Sequence, residues 1–198
     1  MKTVKDKQVL VAADFAGVPL KDAVVEHLQQ KGWTVTDIGV KSLDDPHPEM
    51  FHRIGLRVGA KITEGEFERA LIFCGTGMGI HLAAARCPGA MVAVAETIPA
   101  ALRAITGNNC NILAMGGHYI APHTGIQMAD AFLEHNLGDG HEEWEGFYEF
   151  HKLAYDELMA FDYEKFKADG FEFIDPVDPY LAPEPLEESW DLKYHCEK

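Results

Sequence analysis

The sequence predicts an α/β fold, a doubly wound five-stranded parallel sheet, followed by a C-terminal helical and irregular extension. Two observations carry the prediction. Over the first 133 residues, short near-continuous apolar runs alternate with stretches whose apolar residues recur at helical spacing. That is the pattern of parallel strands buried on both faces between helices. Beyond this point charge and aromatic content change together. Residues 1–133 hold 13 acidic and 12 basic residues, whereas 134–198 hold 19 acidic residues, 5 lysines, no arginine and 13 of the 20 aromatics. Of the net charge of −15, −14 therefore belongs to an appended segment, and we place the division at 135/136.

The first strand is "QVLVAA" (8–13). The helix over "PLKDAVVEHLQQKG" has proline near its first turn and Gly32 beyond its end, the usual punctuation of a helix. "WTVTDIG" (33–39) is a second strand, and the turn-rich "VKSLDDPHP" follows it. Phe51, Ile54, Val58 and Ile62 share one face of a helix over about 49–63. "ALIFC" (70–74) is the third strand, with a helix opening near Met78. "AMVAVA" (90–95), a helix over 98–106, "NILAMG" (111–116) and a helix from about 122 to 135 complete the series. In the extension, Trp144, Phe147, Tyr148, Tyr155, Leu158 and Phe161 fall on one broad face, which predicts a helix over about 142–168. After Gly170 the proline spacing forbids a regular helix. So aromatic a segment is unlike a disordered tail. Two readings stand for it: an arm packed on its own core, or one wrapped over a dimer partner.

The composition excludes several classes. No apolar run reaches the length of a membrane span, and the N-terminus lacks the cleavage site of a signal peptide. Cys74, Cys87, Cys110 and Cys196 are scattered without a CxxC pair, which argues against a zinc knuckle or disulfide scaffold and suits a reducing cytoplasm. No basic stripe is present to displace counterions from nucleic acid.

Chemistry concentrates in "LIFCGTGMGIHLA" (71–83). A loop at the carboxyl end of a parallel strand is where such sheets bind ligands. Gly75, Gly77 and Gly79 let the backbone approach a ligand and converge amides near a helix N-terminus, which suits an anion or a developing oxyanion. Cys74 and Thr76 face the same pocket. The plainer alternative is a tight turn with Cys74 as apolar filler. The loop lacks the Gly-Lys-Ser/Thr of a P-loop, and its Gly-x-Gly-x-Gly spacing after the third strand fits the dinucleotide fingerprint poorly. Other strand ends contribute Asp14, His47 and Glu96, and "TGNNCN" precedes the fifth strand. Asp14 has an alternative as a helix cap, and the asparagines have one as turn formers.

Taken together, "DFAG", "HP", "CGTGMGI", "AAARCPGAMVAV" and "NNCNILAMGG" resemble the ribose-5-phosphate isomerase B and galactose-6-phosphate isomerase family over about residues 8–133. The resemblance implies a Rossmann-like fold, a homodimer with a shared site, no cofactor and no metal, and aldose–ketose isomerisation of a small sugar or sugar phosphate through a cis-enediolate. It implies Cys74 as the base and Gly75, Gly77 and Gly79 as donors to the enediolate oxygen. Thr76 matches a ring-opening residue, Asp14 one that holds substrate hydroxyls, and Asn108 the asparagine of a His-Asn pair.

The departures concern the substrate. Phe15 stands where the family has a phosphate-holding histidine, and Gly107 where it has a ring-opening histidine. "GDGHEEWEGF" replaces the segment with phosphate-clamping arginines. His47 replaces a tyrosine and His81 a serine, and either is a candidate to supply the missing imidazole. Arg86 and Arg103 remain candidate anion contacts. The enediolate machinery is better kept than phosphate recognition, so the expected enzyme is an isomerase whose substrate differs from ribose 5-phosphate. The alternative is a non-catalytic sugar-binding or regulatory relative.

Overall fold

The computed structural model describes residues 4–173. The chain divides after Leu137 into two compact units. The first unit is built on β1 (Gln8–Ala13), β2 (Thr34–Asp37), β3 (Ala70–Cys74), β4 (Val92–Val94) and β5 (Ile112–Gly116), all parallel, in the order β2-β1-β3-β5-β4. Each interior strand is buried along nearly its whole length, whereas β2 and β4 at the edges are partly exposed. This explains why the interior strands read as continuous apolar runs. The edge strands are shorter than the sequence predicts. β4 keeps only the three residues that pair with Ile112, Leu113 and Ala114.

The helices are α1 (Val18–Gln30), α2 (Phe51–Thr63), α3 (Met78–Ala84), α4 (Ile98–Thr106) and α5 (Pro122–Leu133). With right-handed crossovers, this strand order sends α1 and α4 to one face and α2 and α3 to the other. The packing agrees: α5 lies against both α1 and α4, and α2 against α3. Local chemistry sets the ends. Thr97 accepts from the Ala100 amide to cap α4, and buried Arg69 donates to the Phe132 and Leu133 carbonyls at the end of α5.

One buried cation ties α1 to the end of β2. Lys21 is 1% exposed, and its Nζ donates to Asp37 Oδ2 at 2.8 Å and to the Val40 carbonyl at 2.9 Å. Burial works to raise the Asp37 carboxyl, but Lys21, the Gly39 amide and Lys41 together hold it below the usual aspartate value.

In the second unit the sequence predicts one helix over about 142–168, and the structure corrects this to two. These are α6 (Phe147–Ala160) and α7 (Tyr163–Ala168). Phe161 is extended, and Asp162 accepts from the Glu164 and Lys165 amides, so the aspartate starts a new helix instead of continuing the old one. Residues 142–146 form turns, ending at Gly146 with φ +78°. Phe147 is 2% exposed and stacks between the His141 and His151 rings. The irregular arm expected after Gly170 falls almost wholly outside the described residues.

Replacing Lys21 by Met removes the charge but keeps most of the side-chain volume. It should lower stability by about 3 kcal/mol at pH 7, because one partner of a buried pair is left alone. A carboxyl held below its usual value contributes stability above its unfolded pKa of about 3.9 and loses it as pH falls through the lower folded value. Denaturant unfolding should therefore find the Lys21→Met penalty shrinking as pH drops below about 4. An equal penalty at pH 7 and pH 3 would contradict this account.

Candidate active site

Winding runs from β1 toward β2 on one side and then returns past β1 to β3, so the carboxyl ends of β1 and β3 bound a crevice. β5 borders β3 on its other side. Three loops therefore meet at this edge: 14–17 after β1, 75–77 after β3 and 117–120 after β5. Backbone hydrogen bonds lock them together. The Asp14 amide donates to the Phe73 carbonyl, the Gly117 amide to the Cys74 carbonyl at 2.8 Å, and the His118 amide to the Gly75 carbonyl at 2.9 Å.

Cys74, the last residue of β3, is 4% exposed, and its Sγ accepts from the Gly77 amide at 3.1 Å. Gly77 has φ +76°, and a Cβ there would lie 3.0 Å from the Met115 carbonyl carbon, so position 77 requires glycine. Its left-handed turn aims its N–H back at the sulfur. Thr76 Oγ1 accepts from the Met78 amide, the first of α3, at 3.2 Å. Gly79 lies in the first turn of α3, and a Cβ there would meet the Phe51 ring at 2.7 Å. That glycine makes room for α2. At Gly75 a Cβ would lie 2.6 Å from His118 Nε2.

Asp14 Oδ1 accepts from the Gly17 amide at 3.0 Å, the capping alternative open in the sequence. Burial pushes its carboxyl above the usual aspartate value, against the opposing pull of the Gly17 and Ala16 amides and of His118. Asp14, Cys74, Thr76 and the glycine loop thus share one edge with His118, which the sequence reading passed over. Its signal was its place immediately after "NILAMGG", at the end of a predicted strand.

Other predicted residues lie elsewhere. Asn108 is exposed and precedes β5, whereas Cys74 pairs with the last residue of β5. The strand's length, about 16 Å, separates the two positions along the sheet. Gly107 is occupied from the side: a Cβ there would lie 2.7 Å from Arg103 Nε. Arg86 follows α3 and Arg103 sits in the last turns of α4, so both lie toward the amino edge of the sheet. Asn111 accepts from the Met91 amide and donates to the Gly89 carbonyl, a role in holding β4. His47 is exposed in the loop after β2, its amide donating to Asp45, and His81 is half-buried in α3. Burial pushes the Cys110 thiol up to about 11, unlike what a reactive thiol requires. Among the described residues, no group of three or more His, Cys, Asp or Glu is arranged to hold a metal, and no helix is long and apolar enough to cross a membrane.

A family profile described as Ribose/Galactose Isomerase matches residues 9–145. A 4-deoxy-4-sulfo-D-erythrose isomerase from Clostridium sp. (strain MSTE9) is 39% identical over 137 residues, 69% of this chain and 85% of that protein. A D-erythrulose-4-phosphate isomerase from Pectobacterium atrosepticum is 30% identical, over 67% of this chain and 86% of that protein. The crystal structure of a ribose 5-phosphate isomerase from Thermotoga maritima superposes with a TM-score of 0.67 at 26% identity, covering 78% of this chain and 98% of that one.

The two loop glycines should separate experimentally. Gly77→Ala forces a left-handed alanine against backbone and should cost about 1–3 kcal/mol in denaturant unfolding. Gly75→Ala crowds a movable imidazole and makes only ordinary contact with the Ala16 Cβ, so its stability should stay within about 1 kcal/mol of the parent. The His118 ring resonances in its NMR spectrum should shift. Equal destabilisation by the two substitutions would refute this description of the loop.

Proposed function

This chain belongs to the ribose/galactose isomerase family and is an aldose–ketose isomerase, and we propose that it acts on an open-chain four-carbon sugar carrying a monoanionic group at C4. The proposed base is Cys74, moving a proton between C1 and C2 through a cis-enediolate. The observation that carries this assignment is the Gly77 amide held 3.1 Å from Sγ, a donor positioned to stabilise the sulfur when it carries charge. The oxyanion donors are the remaining backbone amides of the glycine loop, since the Gly77 amide is turned to the sulfur and the Met78 amide to Thr76. Asp14 is proposed to hold substrate hydroxyls at the same edge.

The substrate class rests on chemistry at both ends of the sugar. A tetrose substituted at C4 has no hydroxyl there to close a furanose ring, so its isomerase needs no ring-opening imidazole. Gly107 stands where the resemblance implies one. Residues 134–151, the stretch where the resemblance implies clamping arginines, contain no Lys or Arg. A phosphate monoester carries nearly two charges at neutral pH. A sulfonate carries one and asks less of the protein's cations. Two relatives are named for four-carbon substrates substituted at C4, one of them a sulfonate.

We further propose that two copies of the chain share the site. Asn108 and Cys74 lie at opposite edges of one sheet, and a second copy would bring an Asn108 to each Cys74.

Turnover should be measured on 4-deoxy-4-sulfo-D-erythrose, D-erythrose 4-phosphate and D-ribose 5-phosphate. The expected kcat/KM for the sulfonate exceeds that for ribose 5-phosphate by at least about tenfold, or 1.4 kcal/mol. Cys74→Ser should lower kcat by about 10² or more. Mixing refolded Cys74→Ser with Asn108→Ala should restore activity that neither variant has alone. Preference for ribose 5-phosphate sinks the substrate reading, an unimpaired Cys74→Ser sinks the base, and failure of complementation sinks the shared site.

A further inference from the structure

Isomerisation through an enediolate needs two proton transfers, and a carbon base performs only one of them. When the Cys74 thiolate removes the proton from C2 of the aldose, the electron pair forms the C1–C2 double bond and negative charge settles on O1. O2 still carries its proton. The ketose requires the reverse, a proton on O1 and the carbonyl at O2. A second group must face both oxygens beside the cysteine loop.

We propose that His118 is that group, relaying the proton from O2 to O1 of the substrate, a role that rests on the enediolate chemistry proposed for Cys74. His118 follows β5 directly, and its amide donates to the Gly75 carbonyl at 2.9 Å, so its backbone is tied to the peptide after the cysteine. Its ring leans over the same peptide. Nε2 and Cδ2 lie 2.6 Å and 2.8 Å from where a Gly75 side chain would begin. The absence of a side chain at Gly75 gives the imidazole its place. The residue is exposed, so the ring is open to solvent and to a small molecule bound at this edge. The half-buried Asp14 carboxyl interacts with it electrostatically and is itself anchored by the Gly17 amide. Asp14 is thus a charged neighbour of the imidazole as well as a candidate substrate contact.

The balance closes. Nε2 relays one proton from O2 to O1, the charge moves from O1 to O2, and the imidazole ends as it began. The O2 charge then collapses to the C2 carbonyl as C1 takes the proton from the Cys74 thiol, regenerating the thiolate. An imidazole suits the relay because it accepts and donates at the same nitrogen near neutral pH. An anion-binding role would be the natural alternative for an exposed histidine, but the neighbouring Asp14 carboxyl opposes an anion there.

The test separates carbon chemistry from oxygen chemistry. Wild type, His118→Asn and Cys74→Ser are incubated with 4-deoxy-4-sulfo-D-erythrose in D2O. Two quantities are read: interconversion to the ketose, and deuterium entering C2 of recovered aldose. His118→Asn should lose interconversion by about 10²-fold while deuterium uptake falls far less, so the exchange-to-interconversion ratio rises at least about tenfold. Added imidazole should return part of the interconversion. Cys74→Ser should lose both. A fall of both quantities by the same factor in His118→Asn overturns the proposal, because that is the mark of a structural role. A rise in KM at constant ratio also overturns it, as the mark of an anion contact. Wild type that catalyses neither process on this substrate, D-erythrose 4-phosphate or D-ribose 5-phosphate overturns the isomerase chemistry itself and the relay with it.

Discussion

The ladder between β3 and β5 is the constraint on which the site depends. Cys74 pairs with Gly116, and the parallel pattern continues past both strands as Gly117 donates to the Cys74 carbonyl and His118 to the Gly75 carbonyl. A shift of one residue would turn alternate side chains to the opposite face of the sheet. His118 would then lose its place over Gly75, and the Gly77 turn its fit against the Met115 backbone. The register is held by burial, because Leu71, Ile72, Phe73, Leu113, Ala114 and Met115 are fully enclosed. A slip would have to repack the middle of the core. Placement of the polar groups at the carboxyl edge thus follows from apolar packing below them.

Two half-buried aspartates at this edge show how the fold divides structural from chemical work. Asp37 meets Lys21, the Gly39 amide and Lys41, and these outweigh the cost of its burial. It closes the end of β2 and behaves as a fixed anion. Asp14 has two amides and an imidazole but no lysine or arginine in that role, and burial prevails. A carboxyl held above its ordinary value in a crevice, beside a thiol and an imidazole, is the combination expected where protons move. The same residue type at the ends of adjacent strands serves a different purpose because only one of the two is given a buried cation.

Much of this was legible in the sequence where punctuation and burial agree. β1, β3 and α4 have the bounds that the apolar runs and their capping residues predict. The edge strand β4 came out shorter, since its length depends on hydrogen bonds to β5 that no local pattern encodes. The broad aromatic stripe of the extension concealed the break at Asp162, where a side-chain cap competes with helix continuation. Cys74, Thr76 and Asp14 were legible because each sits at a strand end. His118 sits at one too, but its significance arises from a cross-strand contact with Gly75, a residue more than forty positions away. Gly79 shows what spacing leaves out: its loop position suggested a donor, and the structure adds that the missing side chain admits Phe51.

The chain's charge bears on which anion it can receive. With a net charge of −15, the whole molecule repels an approaching anion, and the work scales with the charge that the anion carries. A dianionic phosphate therefore meets about twice the long-range repulsion of a monoanionic sulfonate. Enzymes of phosphorylated substrates offset such repulsion with local arginines and lysines, yet Arg86 and Arg103 lie toward the amino edge of the sheet, away from Cys74. The enediolate proposed for this site imposes its own limit, because its transient negative charge needs donors that are not already engaged by the substrate's other end. A substrate with a single distant charge leaves the glycine-loop amides and the imidazole to the reacting oxygens. On this reading the absence of clamping cations and the presence of the cysteine loop belong together, with the hydrogen-bonding groups of this edge left to C1 and C2.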